Sequence, residues 1–196
     1  MASEPPLILS FDTAAAHCAA ALVRDGHLLA EAFEPMQRGQ AERLLPMIED
    51  LLAETGRRWP DLDGIAVCTG PGNFTGLRVA VAAARGLAMA LGIPAVGVSR
   101  LEILGDRPGV TVATIADKRG RIVQSFRDGV AAGPPAVDPD ALPPGPVVDG
   151  TDAACDLAAL ARIAARQLDT APPPAPLYLR PADAMPPSEA PPRILG

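Results

Sequence analysis

The stretch Thr69-Gly70-Pro71-Gly72-Asn73-Phe74-Thr75-Gly76-Leu77-Arg78 decides the fold of this chain. An apolar run, Gly64-Ile65-Ala66-Val67-Cys68, precedes it, and an Ala-rich segment from Val79 to Leu91 follows. The pattern predicts a strand, a glycine-rich turn and a helix over 76–91. Glycine lets a backbone bend sharply or approach a neighbour closely. Free amides at a helix start, with the positive end of the helix dipole, make an anion site. Gly70, Gly72, Asn73, Thr75 and Gly76 are therefore candidate nucleotide- or anion-binding residues. The P-loop ending in Gly-Lys-Ser/Thr is absent, and so is the dinucleotide fingerprint. The alternative is a tight turn that only closes a strand–helix unit.

Upstream, Leu7-Ile8-Leu9-Ser10-Phe11 predicts a buried strand ending at Asp12-Thr13, which join the candidate anion site. Cys18 to Val23 is a second strand, Asp25-Gly26 a hairpin signal and Leu28 to Phe33 a third strand. This arrangement points the Asp12 carboxylate into a cleft at the sheet edge. A helix follows from Gln40 to Glu54, with Leu44, Leu45, Ile48, Leu51 and Leu52 at helical spacing and Pro46 marking a first turn or a kink. Downstream, Gly92-Ile93-Pro94 ends the glycine-turn helix and Ala95 to Val98 is another strand. The order βββαβαβ is an α/β layer arrangement.

A weaker copy follows. Val110 to Ala116 is a strand ending in Asp117, paired with Arg121 to Phe126 across Lys118-Arg119-Gly120. Pro146 to Gly150 is a further strand, and Ala153 to Leu168 a helix. Between them, Gly129 to Pro144 is rich in Pro and Gly and predicts an irregular connection. Leu177-Tyr178-Leu179 predicts a docked strand, and the proline-rich residues 181–196 an extended tail. The chain thus divides into an N-terminal lobe over 1–104, a reduced C-terminal lobe over 105–180 and the tail.

Composition narrows the function. The chain has 196 residues and a net charge of −6, which argues against independent binding to nucleic acid or an anionic membrane. Aromatic residues make up 3%, too few for a row of base-stacking platforms. Cys18, Cys68 and Cys155 lie far apart, with no CxxC pair and no zinc spacing. Cys18 and Cys68 read as small core residues. His17 and His27 read as ordinary surface or turn residues, so no metal ligand set is expected. Residues 1–6 carry no signal-peptide pattern, and Val79–Leu91 is shorter than the roughly 20 residues that span a bilayer. A soluble, cytoplasmic protein is expected.

Two acid-ended hairpins around a glycine-turn helix resemble the actin-like ATPase (ribonuclease H-like) superfold, in which two lobes with mixed sheets clasp a nucleotide. A narrower resemblance rests on Phe11-Asp12-Thr13, the run Gln40-Ala41-Glu42-Arg43-Leu44-Leu45-Pro46-Met47-Ile48, the glycine turn with Phe-Thr-Gly-Leu-Arg, Gly97-Val98-Ser99, Asp117-Lys118-Arg119-Gly120 and Pro176-Leu177-Tyr178-Leu179-Arg180-Pro181. These resemble the bacterial TsaB (YeaZ) family over about residues 7 to 181. The resemblance implies a scaffold and activator in the machinery that places threonylcarbamoyl on N6 of adenosine 37 in tRNAs reading ANN codons. Its implied partners are a catalytic TsaD-like paralog and a TsaE-like ATPase, with tRNA met only through the complex, no membrane, and a homodimer when alone. It implies no cofactor of the chain's own, with ATP or ADP shared within the complex.

In the catalytic paralogs two metal-binding histidines follow the strand corresponding to Ala95–Val98. Arg100 and Leu104 stand at those positions here, and neither replaces imidazole as a ligand. Gln40 stands where many relatives have a histidine. A non-catalytic partner protein is therefore expected, bound through the helix pair with Leu44, Leu45, Ile48, Arg78, Ala80, Ala83, Ala84 and Leu87 at the seam. The rival is a small actin-fold kinase or ATPase acting alone. It would need a second phosphate turn and a catalytic carboxylate such as Asp117 or Asp149.

Overall fold

The computed structural model describes residues 4–117, 120–151 and 154–179. Lys118 and Arg119 of the second hairpin, Ala153, Arg180, Pro181 and the proline-rich tail lie outside the described residues.

Three strands open the chain: β1 (Leu7–Asp12), β2 (His17–Arg24) and β3 (His27–Pro35). Helix α1 (Gln40–Glu54) leads to β4 (Gly64–Cys68), α2 (Phe74–Leu91) and β5 (Ala95–Val98). They form one mixed sheet in the order β3-β2-β1-β4-β5, antiparallel through β1–β3 and parallel from β1 to β4 to β5. A short helix α3 (Arg100–Gly105) leads to the second sheet. That sheet contains β6 (Val112–Asp117), β7 (Gly120–Arg127), β8 (Val130–Ala131), β9 (Ala136–Val137) and β10 (Val147–Asp149). Its order is β10-β6-β7-β8, with β9 also on β7. Two mixed sheets with flanking helices make this an actin-like, ribonuclease H-like α/β fold.

Alternation along the strands sends odd and even residues of β1 to opposite faces. Leu7, Leu9 and Phe11 join Ile65 and Val67 of β4 in a core covered by Leu44, Met47, Ile48 and Leu51 of α1 and Ala80, Val81 and Ala84 of α2. Ile8, Ala66 and Cys68 face the other way, under α4 (Leu157–Ala165). Helix α4 thus returns from the second half of the chain to close the first sheet. It starts later than the sequence predicts, with the Asp156 side chain accepting from the Ala159 amide. A third core, built on Leu101, Leu104, Ala113, Ile115, Ile122 and Phe126, joins α3 to the second sheet.

Pro46 neither starts nor ends α1. The helix runs through it, with Pro46 on the exposed side. The Arg43 guanidinium forks onto Glu34 of β3, with donor–acceptor distances of 2.6 and 2.9 Å, and this pairing holds the Glu34 carboxyl below the usual carboxylate range. The predicted irregular connection contains β8 and β9. Leu177 makes no strand, but its amide donates to the Thr69 carbonyl at 2.9 Å, so the C-terminal segment still docks beside the glycine turn.

Candidate functional site

The glycine turn is held from inside the protein. Asn73 caps α2: its Oδ1 accepts from the Thr75 and Gly76 amides at 3.0 Å each. The Asn73 amide donates to the Ala14 carbonyl at 2.6 Å. Amides expected to face an anion therefore already have protein partners. Close packing explains two of the glycines. A Cβ on Gly76 would sit 1.9 Å from the Thr13 carbonyl oxygen, and one on Gly72 would sit 2.4 Å from that of Ala14. Thr13 is buried and its Oγ1 donates to the Gly76 carbonyl at 2.7 Å. The turn thus clamps the start of α2 onto the β1–β2 connection. Asn73→Ala is expected to cost about 1 kcal/mol of stability, the usual value of such a cap. Denaturant unfolding should give the same loss with and without added phosphate.

Asp12 does not point into an open cleft. It is 1% exposed; its Oδ1 accepts from the Ala14 amide at 2.8 Å, and its Oδ2 accepts from His17 Nε2 at 2.9 Å. His17 is not a surface residue: it is buried, and its ring lies 5.0 Å from that of Phe33. Sequence reading missed this pair because both residues sit at ends of strands, where the face is set by the turn between them.

A cleft of about 720 Å³ does open between the sheets. Gly72, Asn73, Thr75 and Gly76 line it from one side and Ile115, Ile122 and Thr151 from the other; Asp12, Thr13 and Gly70 are not among its walls. Gln40 also lines it, with its Nε2 donating to the Met36 carbonyl. Arg100 bridges the halves: its amide donates to the Gly70 carbonyl at 2.7 Å and its guanidinium to the Gly150 carbonyl at 2.9 Å. Leu104 is buried in the core beneath the second sheet. Asp149 caps Thr151, whose amide and hydroxyl donate to it and hold its carboxyl below the usual range.

The expected seam residues divide. Leu44, Ile48, Ala80 and Ala84 are 0–1% exposed and belong to the protein's own core, because the apolar stripe of each helix faces its sheet. Ala83 and Leu87 are half-buried, while Leu45 and Arg78 are exposed. The open face of α2 is a different stripe. Phe74, Arg78, Ala82, Arg85 and Met89 recur at helical spacing and are all exposed. Phe74 is 51% and Met89 84% exposed. The Arg78 guanidinium stacks 3.7 Å over the Phe74 ring, and its Nε donates to the Tyr178 hydroxyl at 2.9 Å. Arg78 therefore joins the C-terminal segment to α2. Only 28% of this 18-residue apolar helix is buried, and it is long and apolar enough by composition to cross a membrane. Its inner face, with Leu77, Val81 and Ala84, is committed to the sheet cores.

One further cluster has no counterpart in the sequence reading. Ligand atoms of Asp12, Cys68 and Cys155 lie within 4.8 Å of one another. The neighbouring Cys68 thiol and burial hold the Cys155 thiol well above the usual range. Cys18 lies apart from them in the other core, and burial pushes its thiol up to about 11.

Comparison with known proteins now places the chain. The family model for TsaD, tRNA N6-adenosine threonylcarbamoyltransferase, matches residues 32–117. YeaZ from Pseudomonas aeruginosa superposes with a TM-score of 0.68 at 29% identity, over 89% of this chain and all of that one. A second structure, described as an uncharacterized protein with similarity to peptidase YeaZ from Pseudomonas aeruginosa, reaches a TM-score of 0.72 at 31% identity, with the same coverage. The chain belongs to the TsaB (YeaZ) family. Within the family, Escherichia coli TsaB, a tRNA threonylcarbamoyladenosine biosynthesis protein, is 42% identical over 94 residues, which are 48% of this chain and 40% of that protein. An uncharacterized Mycobacterium tuberculosis protein is 36% identical over 91% of this chain and 94% of its own length.

Proposed function

We propose that this chain is a non-catalytic subunit of the cytoplasmic machinery for tRNA threonylcarbamoyladenosine biosynthesis, and that it binds a catalytic TsaD-like subunit through the outer face of α2. A TsaE-like ATPase joins the assembly, tRNA is met through the complex, and any ATP or ADP is shared with partners. The observation that carries the interface is the apolar face of α2, open along its length and centred on Phe74, Arg78, Tyr178 and Met89. Aromatic residues and Arg dominate the energetics of protein interfaces, and large exposed apolar patches mark binding sites. Alone, the same stripe would pair two copies about a two-fold axis.

The lack of imidazole at Arg100 and Leu104 supports a non-catalytic role. Arg100 spends its guanidinium on carbonyls across the cleft and Leu104 its side chain on the core. The internal capping of the glycine turn argues the same way, because Asn73 takes two amides that a phosphate would need.

Titration calorimetry of the purified TsaD-like subunit into this chain tests the proposal. Arg78→Ala and Phe74→Ala should each weaken binding by about 2 kcal/mol, as hot-spot residues do. Undiminished affinity in both variants would move the interface elsewhere.

A further inference from the structure

We propose that Asp12, Cys68 and Cys155 form a binding site for one thiophilic divalent cation, zinc being the best match. The fold builds this site from three distant parts of the chain. β1 and β4 are parallel neighbours, paired up to Phe11 and Val67, so Asp12 and Cys68 are the next residues along both strands. Both lie at the carboxyl ends of their strands, where open α/β sheets place their ligands. Cys155 arrives from above, on the segment that enters α4, the helix covering that face of the sheet. The three ligand atoms converge within 4.8 Å. Asp12 is 1% and Cys68 0% exposed, and Cys155 is half-buried.

The chemistry of the donor set selects the ion. Two sulfurs favour zinc over the hard cations magnesium and calcium, which take oxygen ligands. Zinc sites with three protein ligands keep the fourth position for water or another small ligand. The carboxylate is already oriented for the task. The Ala14 amide and the His17 ring each bond one oxygen and leave lone pairs on both, so Asp12 can bind a metal without losing either partner. In the usual outer-shell arrangement a carboxylate fixes a ligand histidine from behind; here the roles of ring and carboxylate are exchanged. Charge is also accommodated. A dication on one carboxylate and two thiolates leaves a single net negative charge, and the ion would supply the attraction that Cys68 and burial withhold from the Cys155 thiolate. Binding would release the two thiol protons and join the ends of β1 and β4 to the start of α4. The site is separate from the open face of α2, so it stands or falls independently of the partner interface.

Cobalt(II) provides the probe, because thiolate–cobalt bonds absorb in the near ultraviolet. The full chain, reduced and stripped of metal, should take up one equivalent of cobalt with that band, and zinc should displace it. Zinc should also raise the melting temperature. Cys155→Ser should weaken cobalt binding at least about tenfold and diminish the thiolate band. Asp12→Asn should weaken binding while keeping the band, and Cys18→Ser should change neither. His17→Ala should weaken binding about tenfold through loss of the outer-shell bond. Circular dichroism checks that each variant stays folded. Absence of a thiolate–cobalt band in the reduced wild-type chain, or a band of full strength in Cys155→Ser, would overturn the proposal.

Discussion

Gly76→Ala is expected to destabilise the protein by about 3 kcal/mol, the upper end of the range for overpacking a core. The new methyl would lie 1.9 Å from the Thr13 carbonyl oxygen and 3.0 Å from its carbon. Both are backbone atoms of the turn that leaves β1, and the bond from Thr13 Oγ1 to the Gly76 carbonyl ties the two segments together. No rotamer change relieves the clash, so either α2 lifts from the sheet or the β1–β2 turn shifts. Gly86, in the same helix, is the control. A Cβ there meets nothing within 4 Å, so Gly86→Ala should stabilise by about 0.5–1 kcal/mol through helix propensity. Urea denaturation of the two variants gives opposite signs on this account. A loss below about 1 kcal/mol for Gly76→Ala would mean that the turn is not clamped as described.

Met89→Glu should leave the free chain unchanged and damage the complex. Met89 is 84% exposed, and surface changes of that kind usually stay within about 0.5 kcal/mol. In the assembly the carboxylate would be desolvated in the seam, a cost that Arg85, one turn earlier on the same stripe, offsets only in part. We therefore expect wild-type unfolding of the isolated variant and a loss of co-purification with the TsaD-like subunit. The contrast matters because glutamate at Ala84, which is 0% exposed, would test folding rather than binding. Normal co-purification of Met89→Glu would place the partner on another surface.

The first sheet was legible because its signals are long and local. Apolar runs at 7–11 and 65–68, the Asp25-Gly26 hairpin and the stripe from Leu44 to Leu52 each name an element without help from the rest of the fold. Helix α3 was equally legible and was missed. Ser99 and Glu102 form a capping box, with the Ser99 hydroxyl accepting from the Glu102 amide and the Glu102 carboxylate from the Ser99 amide. The second sheet was harder, since β8 and β9 are two residues each and their pairing with β7 is set by tertiary contact.

The site was less legible than the fold, for two physical reasons. Asn73 beside a helix start fits both an anion ligand and an N-cap, and only the bonds to Thr75 and Gly76 distinguish them. The Ala-rich composition of α2 does not tell which of its residues face the sheet and which are left open. Its Ala80 and Ala84 turn inward, and the outward stripe is carried by Phe74, Arg78 and Met89. The cluster of Asp12, Cys68 and Cys155 has no sequence signature at all, because it depends on the register of β1 with β4 and the return of α4.

The most direct test of the proposed role is a reconstituted reaction on tRNA reading ANN codons, with the TsaD-like and TsaE-like subunits, ATP and a threonylcarbamoyl donor, run with and without this chain. Formation of threonylcarbamoyladenosine only when this chain is added to the other subunits, and none from this chain alone, is the predicted result. Equal formation in its absence, or formation by this chain without the TsaD-like subunit, would contradict the account.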